Sequence, residues 1–210
     1  MLDFTEYTKI FISLFAILDP IGIIPIIILF TAGLTAPKRA HVARLASLTV
    51  CSILLIALLI GQPLLAFFGI SINSFRVAGG ILLMLMAIRM LNGNLYTSSL
   101  VKRDSGDGES TAAMTIVPLS TPLLAGPGSI SAVILEAHKA YGIAHYMIMS
   151  LEIILLSMTV WLTFKIAPWV EQRLGKIGID VFSRLMGLIL AAIAVEFVTS
   201  GMRGLFPALG

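Results

Sequence analysis

The chain has 210 residues, of which 58% are hydrophobic and only 12% charged, and its mean hydropathy is +1.02. A soluble domain carries roughly 25% charged residues because water must wet its surface, so this composition excludes a water-soluble fold. The net charge of +3 lies in loops beside apolar runs, which fits a positive-inside membrane bias better than nucleic-acid binding.

The acidic start, Met1-Leu2-Asp3-Phe4-Thr5-Glu6, lacks the basic region of a cleavable signal peptide, so the first hydrophobic stretch reads as a retained helix. Six apolar stretches follow, over about 10–30, 45–68, 72–91, 112–135, 143–164 and 185–206. Each matches the roughly 20 residues that carry a helix across a bilayer core. Most connections are short. The longest, over 92–111, is rich in Gly, Ser, Asn and Asp and holds Lys102 and Arg103, a composition that reads as a linker between two halves.

Orientation follows from Lys and Arg. Ten fall after odd-numbered spans: Lys38, Arg39, Arg44, Arg89, Lys102, Arg103, Lys165, Arg173, Lys176 and Arg184. Four fall on the other side: Lys9, Arg76, Lys139 and Arg203. The bias puts the odd loops in the cytoplasm and both termini outside.

The halves also resemble one another. Asp19-Pro20-Ile21-Gly22 answers Gly126-Pro127-Gly128-Ser129, with the prolines 107 positions apart, and Phe75-Arg76-Val77-Ala78-Gly79 answers Ser183-Arg184-Leu185-Met186-Gly187 at an offset of 108. Two distant landmarks with nearly one offset predict a duplicated unit. Three spans per unit force the copies into opposite orientations, the inverted-repeat plan of many secondary transporters. The expected architecture is therefore an all-α integral membrane protein of six transmembrane helices. Residues 1–91 form one three-helix repeat, 92–111 the cytoplasmic linker, and 112–210 the inverted second repeat, with the first and fourth helices broken.

Those two helices carry the chemistry. Proline removes an amide donor and clashes with the preceding turn, and glycine adds freedom. The first span should therefore break near Asp19, Pro20, Gly22 and Pro25. The fourth should break near Ser120, Thr121, Gly126, Pro127, Gly128 and Ser129. Exposed backbone at membrane depth is tolerated only against protein or a water-filled cavity, so matching breaks predict a shared central site. A restarting half-helix offers amides and a positive dipole end to a carboxylate. An ending one offers carbonyls to an ammonium. The alternative is that prolines and small residues merely permit close helix packing.

Asp19 is an acid near the bilayer centre and a functional candidate by default, either as a ligand of the substrate amine or as a proton carrier. It could equally cap the half-helix starting at Pro20. Glu152 and Glu196 are further intramembrane acids that suit proton or ion coupling, or a pairing or snorkelling role. His41, His138 and His145 lack metal-ligand spacing. No phosphate-binding glycine loop with Lys-Ser or Lys-Thr occurs, and no Ser has plausible His and Asp partners. Neither an ATP-driven pump, an enzyme, a metal nor another cofactor is expected.

Leu18-Asp19-Pro20-Ile21-Gly22-Ile23-Ile24-Pro25, Pro122-Leu123-Leu124-Ala125-Gly126-Pro127-Gly128-Ser129-Ile130 and Arg184-Leu185-Met186-Gly187-Leu188-Ile189-Leu190 together resemble the MarC/SnatA family. The stretches 68–80 and 196–201 add to the likeness, which covers essentially the whole chain. The resemblance implies a six-span protein of the bacterial inner membrane with both termini on the periplasmic side. Its motif transfers to Asp19, Pro20, Gly22, Pro25, Gly126, Pro127 and Gly128. It implies a transporter of small neutral amino acids such as glycine and alanine, with a proton or sodium ion as coupling partner and the lipid bilayer as surroundings. An exporter of another small metabolite and a non-transporting membrane scaffold are the rival readings, and a bundle this small is compatible with a homo-oligomer.

Overall fold

A computed structural model describes residues 3–31, 34–92, 125–139 and 142–206. Among these residues all regular structure is helical, in six elements. They are α1 (Phe4–Leu18), α2 (Ile24–Thr31), α3 (Ala36–Phe67), α4 (Ile72–Leu91), α5 (Pro127–Ala137) and α6 (Ile143–Leu205). The last is two helices in one hydrogen-bonded ladder. Gly175 (φ 62°, ψ 178°) breaks it, leaving apolar stretches Ile143–Val170 and Ile177–Leu205.

Among the described residues four helices are long and apolar enough to cross a membrane: Ala36–Phe67, Ile72–Leu91, Ile143–Val170 and Ile177–Leu205. Their boundaries refine the expected spans. α4 matches 72–91, whereas α3 begins nine residues before position 45 and runs for 32 residues. At 1.5 Å per residue that is about 48 Å, beyond a hydrocarbon core of about 30 Å. Its first turns carry Lys38, Arg39, His41 and Arg44, the part that belongs in the headgroup region. The first span is divided into α1 and α2, and α5 supplies the second part of the expected fourth span. The preceding part, 112–124, lies outside the described residues, as do residues 93–111 of the linker.

Helix faces follow one spacing. In α3, Val42, Ala46, Val50, Leu54, Leu58, Gly61 and Leu65 are buried at intervals of three or four residues, one stripe of a 3.6-residue helix. In α6, His145, Met149, Glu152, Leu156, Val160, Phe164 and Ala167 do the same. The outward faces stay apolar, with Leu48, Ile56, Leu59 and Phe67 on α3 and Leu151, Leu155 and Leu162 on α6 exposed. Water does not tolerate apolar surface on that scale, and lipid does. α5 is sheathed almost completely, with Gly128, Ser129 and every residue from Ser131 to Ala137 buried. It packs against α1, α3, α4 and α6.

The most extensive helix pairing joins α4 to the Ile177–Leu205 part of α6, antiparallel. Glycines set its spacing. A methyl group on Gly80 would lie 2.9 Å from the Ala194 carbonyl oxygen and 2.8 Å from Val198; one on Gly187 would lie 3.3 Å from the Ala87 carbonyl oxygen and 2.9 Å from Met90. Small residues allow such backbone approach, the main source of helix adhesion where lipid removes the hydrophobic drive. Gly80→Val should separate the pair and destabilise the protein by about 1–3 kcal/mol. Ser52→Ala on the exposed face of α3 should change stability by less than about 0.5 kcal/mol. Unfolding in mixed detergent measures both.

Candidate functional site

α1 ends where the sequence places Pro20. A residue before proline is driven out of the right-handed helical region, and Asp19 adopts φ 42°, ψ 61°, the one positive φ at a non-glycine among the described residues. Aspartate is one of the few side chains that tolerate this left-handed conformation. The Asp19 N–H still donates to the Phe15 carbonyl at 2.9 Å, closing the last turn of α1. Its Oδ1 accepts the Gly22 N–H at 3.0 Å, so the carboxylate lies over the 20–23 turn. Ile24 N–H donates to the Ile21 carbonyl at 3.0 Å and α2 begins. Asp19 is 8% exposed, and Pro20 and Gly22 are buried with it. Gly22 has no side chain because a Cβ there would fall on the Asp19 carboxylate. Pro25 sits in the first turn of α2.

Asp19 therefore caps, in a different sense from the expected one. It terminates α1 and braces the connecting turn, while α2 starts at Ile24 rather than Pro20. At the far end of α2, the Arg39 guanidinium donates to the Thr31 carbonyl at 3.3 Å, a cation at the negative end of the short helix.

The start of α5, where the sequence predicts the second break, is built with other parts. Gly126 is extended (φ −66°, ψ 170°) at the N-terminus of α5, and Pro127 fills the first helical position, where its missing N–H is not needed. The buried Ser129 hydroxyl donates to the Gly126 carbonyl at 2.9 Å, and Ile130 N–H reaches the same oxygen at 3.1 Å. Among the described residues no side chain caps this helix start, and the first-turn amides have no acceptor within the helix ladder. Gly128 faces Leu83 and Met86 of α4, where a Cβ would collide with Leu83. Pro127 is the exposed member of the set. Ser120 and Thr121 lie outside the described residues.

A model of the MarC family of integral membrane proteins matches residues 4–206 of this chain. The chain belongs to the MarC family. It is 40% identical over 207 residues to the UPF0056 membrane protein YhcE of Escherichia coli, covering 99% of this chain and 96% of that one. It is 36% identical to the UPF0056 membrane protein YvbG of Bacillus subtilis, over 98% of each chain. It is also 36% identical to the UPF0056 membrane protein MJ1677 of Methanocaldococcus jannaschii, over 97% of this chain and 98% of the other. No solved structure matches it. The turn at Asp19 and the start of α5 both fall within the matched segment.

Of the remaining acids, Glu152 and Glu196 part company. Glu152 lies on the buried stripe of α6 and is 7% exposed. Glu196 is exposed on α6 and accepts from the Ser200 hydroxyl at 3.4 Å. Near the α5–α6 connection lies a polar cluster that the sequence reading missed. His145 is 1% exposed. Its Nδ1 is 3.0 Å from the Tyr7 hydroxyl of α1, and its Nε2 is 3.3 Å from the Glu136 carbonyl of α5. A carbonyl only accepts, so Nε2 carries the proton, and in the neutral ring the tyrosine hydroxyl donates to Nδ1. The Glu136 carboxylate is buried and ion-paired with Lys139 at 2.7 Å. One signal was available: Glu136 and Lys139 stand three apart, the spacing of a helical ion pair. The expected span ended at 135 and left Glu136 in a loop. Among the described residues no group of three or more His, Cys, Asp or Glu side chains could hold a metal ion.

The turn geometry separates two substitutions. Gly22→Ala should push the Asp19 carboxylate off the turn and destabilise the protein by about 1–3 kcal/mol. Asp19→Asn keeps an oxygen acceptor for the Gly22 amide and should cost less than about 1 kcal/mol. Melting temperatures in detergent give the comparison.

Proposed function

We propose that this MarC-family protein is a secondary transporter of small neutral amino acids, glycine and alanine in size, working by alternating access around two helix breaks. The observation that carries the reading is the pair of interruptions themselves. One separates α1 from α2 at Asp19, and the other opens α5 at Gly126 with no side-chain cap. Pro20 and Pro127 stand 107 positions apart. The uncapped start of α5 suits a carboxylate. The end of α1, with its carbonyls and the buried Asp19, suits an ammonium. Glycine at position 126 lets ligand and backbone approach, which favours a ligand with little or no side chain.

The inverted-repeat architecture that such a mechanism uses draws support from the α4–α6 seam. Gly80 meets residues 194, 197 and 198, and Gly187 meets residues 87, 90 and 91. Shifting 80, 87, 90 and 91 by the 107 positions between the prolines yields 187, 194, 197 and 198. The seam thus corresponds to itself under exchange of halves, down to the alanine carbonyl that each glycine faces, as a two-fold axis between antiparallel helices requires. This pairs Gly187 with Gly80 rather than with Gly79.

In this reading six spans cross the cytoplasmic membrane with both termini outside. The Tyr7–His145 hydrogen bond favours that arrangement, since it ties the N-terminal helix to the α5–α6 connection at one end of the bundle.

The test is thermal stability of the purified protein against a panel of amino acids. A ligand that binds only the folded state stabilises it by about 2.7 kcal/mol at one hundred times its Kd. Glycine or alanine should raise the melting temperature, and Gly126→Leu should abolish the rise while leaving the unliganded protein folded. A shift with none of the amino acids, or an undiminished shift in Gly126→Leu, removes the assignment.

A further inference from the structure

The transport reading leaves one buried group without an occupation. Glu152 lies about 14 Å along α6 from Ile143 at 1.5 Å per residue, near the middle of a core about 30 Å thick. It is 7% exposed, and its Oε2 is buried with no hydrogen-bond partner among the described residues. Its neighbours on the buried stripe, Met149, Ile153 and Leu156, are fully buried and apolar. A carboxylate in such a place requires a cation or a proton.

Among the described residues the surrounding elements supply no resident counter-charge. From α5 the group in electrostatic reach is Glu136, of the same sign, and Glu136 already holds Lys139. From α1 come Tyr7, bonded to His145, and Asp19 in its own turn; Glu6 and Lys9 pair with each other in the first turns. α2 has no titratable residue, and beyond Arg44 α3 has only Cys51. α4 carries Arg76 and Arg89 near its two ends. A hard metal cation wants about six oxygens, whereas Glu152 offers one orphaned oxygen among aliphatic side chains. A proton needs only that oxygen.

The same groups lie in order of depth, with Glu136 in electrostatic reach of Glu152. Glu152 is buried at mid-helix and Glu136 is buried nearer the connection. The Lys139 side chain that pairs with Glu136 is 42% exposed. Ionisable groups thus lead stepwise from the aqueous end of α5 into the membrane interior. Chains of this kind serve as proton relays in transporters.

We propose that Glu152 is the coupling-proton site of this protein, loaded and emptied through Glu136 and its ion pair with Lys139. The inference rests on the transport reading above. Protonated Glu152 is neutral and needs no partner. When the proton leaves, the anion is held beside Glu136 in an apolar wall, which favours the conformation that opens this wall to water. Glu136 is a relay, and the Tyr7–His145 pair holds α1 and α6 together beside it.

The test uses the full-length protein in liposomes with labelled glycine. Two quantities are read: counterflow, which needs binding and alternation alone, and accumulation driven by an imposed pH gradient. Wild type should show both. Glu152→Gln should lose gradient-driven accumulation at least tenfold while counterflow falls no more than a few-fold. Glu152→Asp should retain a response to the gradient, and Glu136→Gln should slow it.

Gradient-driven accumulation surviving in Glu152→Gln overturns the proton assignment. So does a wild type that follows a sodium gradient and ignores pH. Loss of counterflow in Glu152→Gln with an unchanged melting temperature makes Glu152 a substrate ligand and overturns it as well. Absence of glycine counterflow in wild type overturns the transport reading, and this inference falls with it.

Discussion

A backbone inside lipid has no water to bond to, so every interruption of a helix must be closed by the protein itself. The turn at Asp19 shows how this chain meets the requirement. Pro20 stops α1, and the chain needs four residues to redirect into α2. The Asp19 carboxylate covers the turn by accepting the Gly22 amide. A charged residue at depth is costly, yet here the side chain is also the closure of the break. The glycine three positions on leaves the carboxylate its place. The break, the acid and the glycine form one unit, and the rest of the bundle is arranged to bury it.

The surrounding helices bury the two breaks by different means. α5 has no capping side chain at its start among the described residues and is wrapped on nearly every face by α1, α3, α4 and α6. α2 is short and is held at its far end by Arg39 on the Thr31 carbonyl. The α4–α6 seam adds a second kind of constraint. Its glycines bring two backbones together at matched positions, so each helix serves as the other's counterpart. This close-packed, self-complementary seam lies beside the two short helices α2 and α5.

One group of polar side chains inside the bundle connects several helices. Tyr7, His145 and the Glu136 carbonyl join three helices through one imidazole, and Glu136 with Lys139 carries charge from the connection inward. In a low-dielectric interior such bonds are strong and exacting about geometry. They fix the relative positions of α1, α5 and α6 where aliphatic packing alone would allow sliding.

The sequence by itself determined the class of the protein, the apolar stretches that its helices occupy and the place where α1 ends. These are local matters: twenty apolar residues need a bilayer, and a proline ends a helix wherever it stands. It also carried the family likeness, since Leu18 to Pro25 and Pro122 to Ile130 are contiguous. Only the tertiary structure decided which face of each helix looks inward. In lipid both faces are apolar, so the polarity contrast that marks the inner face of a soluble helix is weak. For the same reason Glu152 and Glu196 read alike along the chain, while one is buried and the other exposed. The Tyr7–His145 bond spans 138 positions, and no local pattern could announce it. Its existence depends on the fold bringing the first turn of α1 to the first turn of α6.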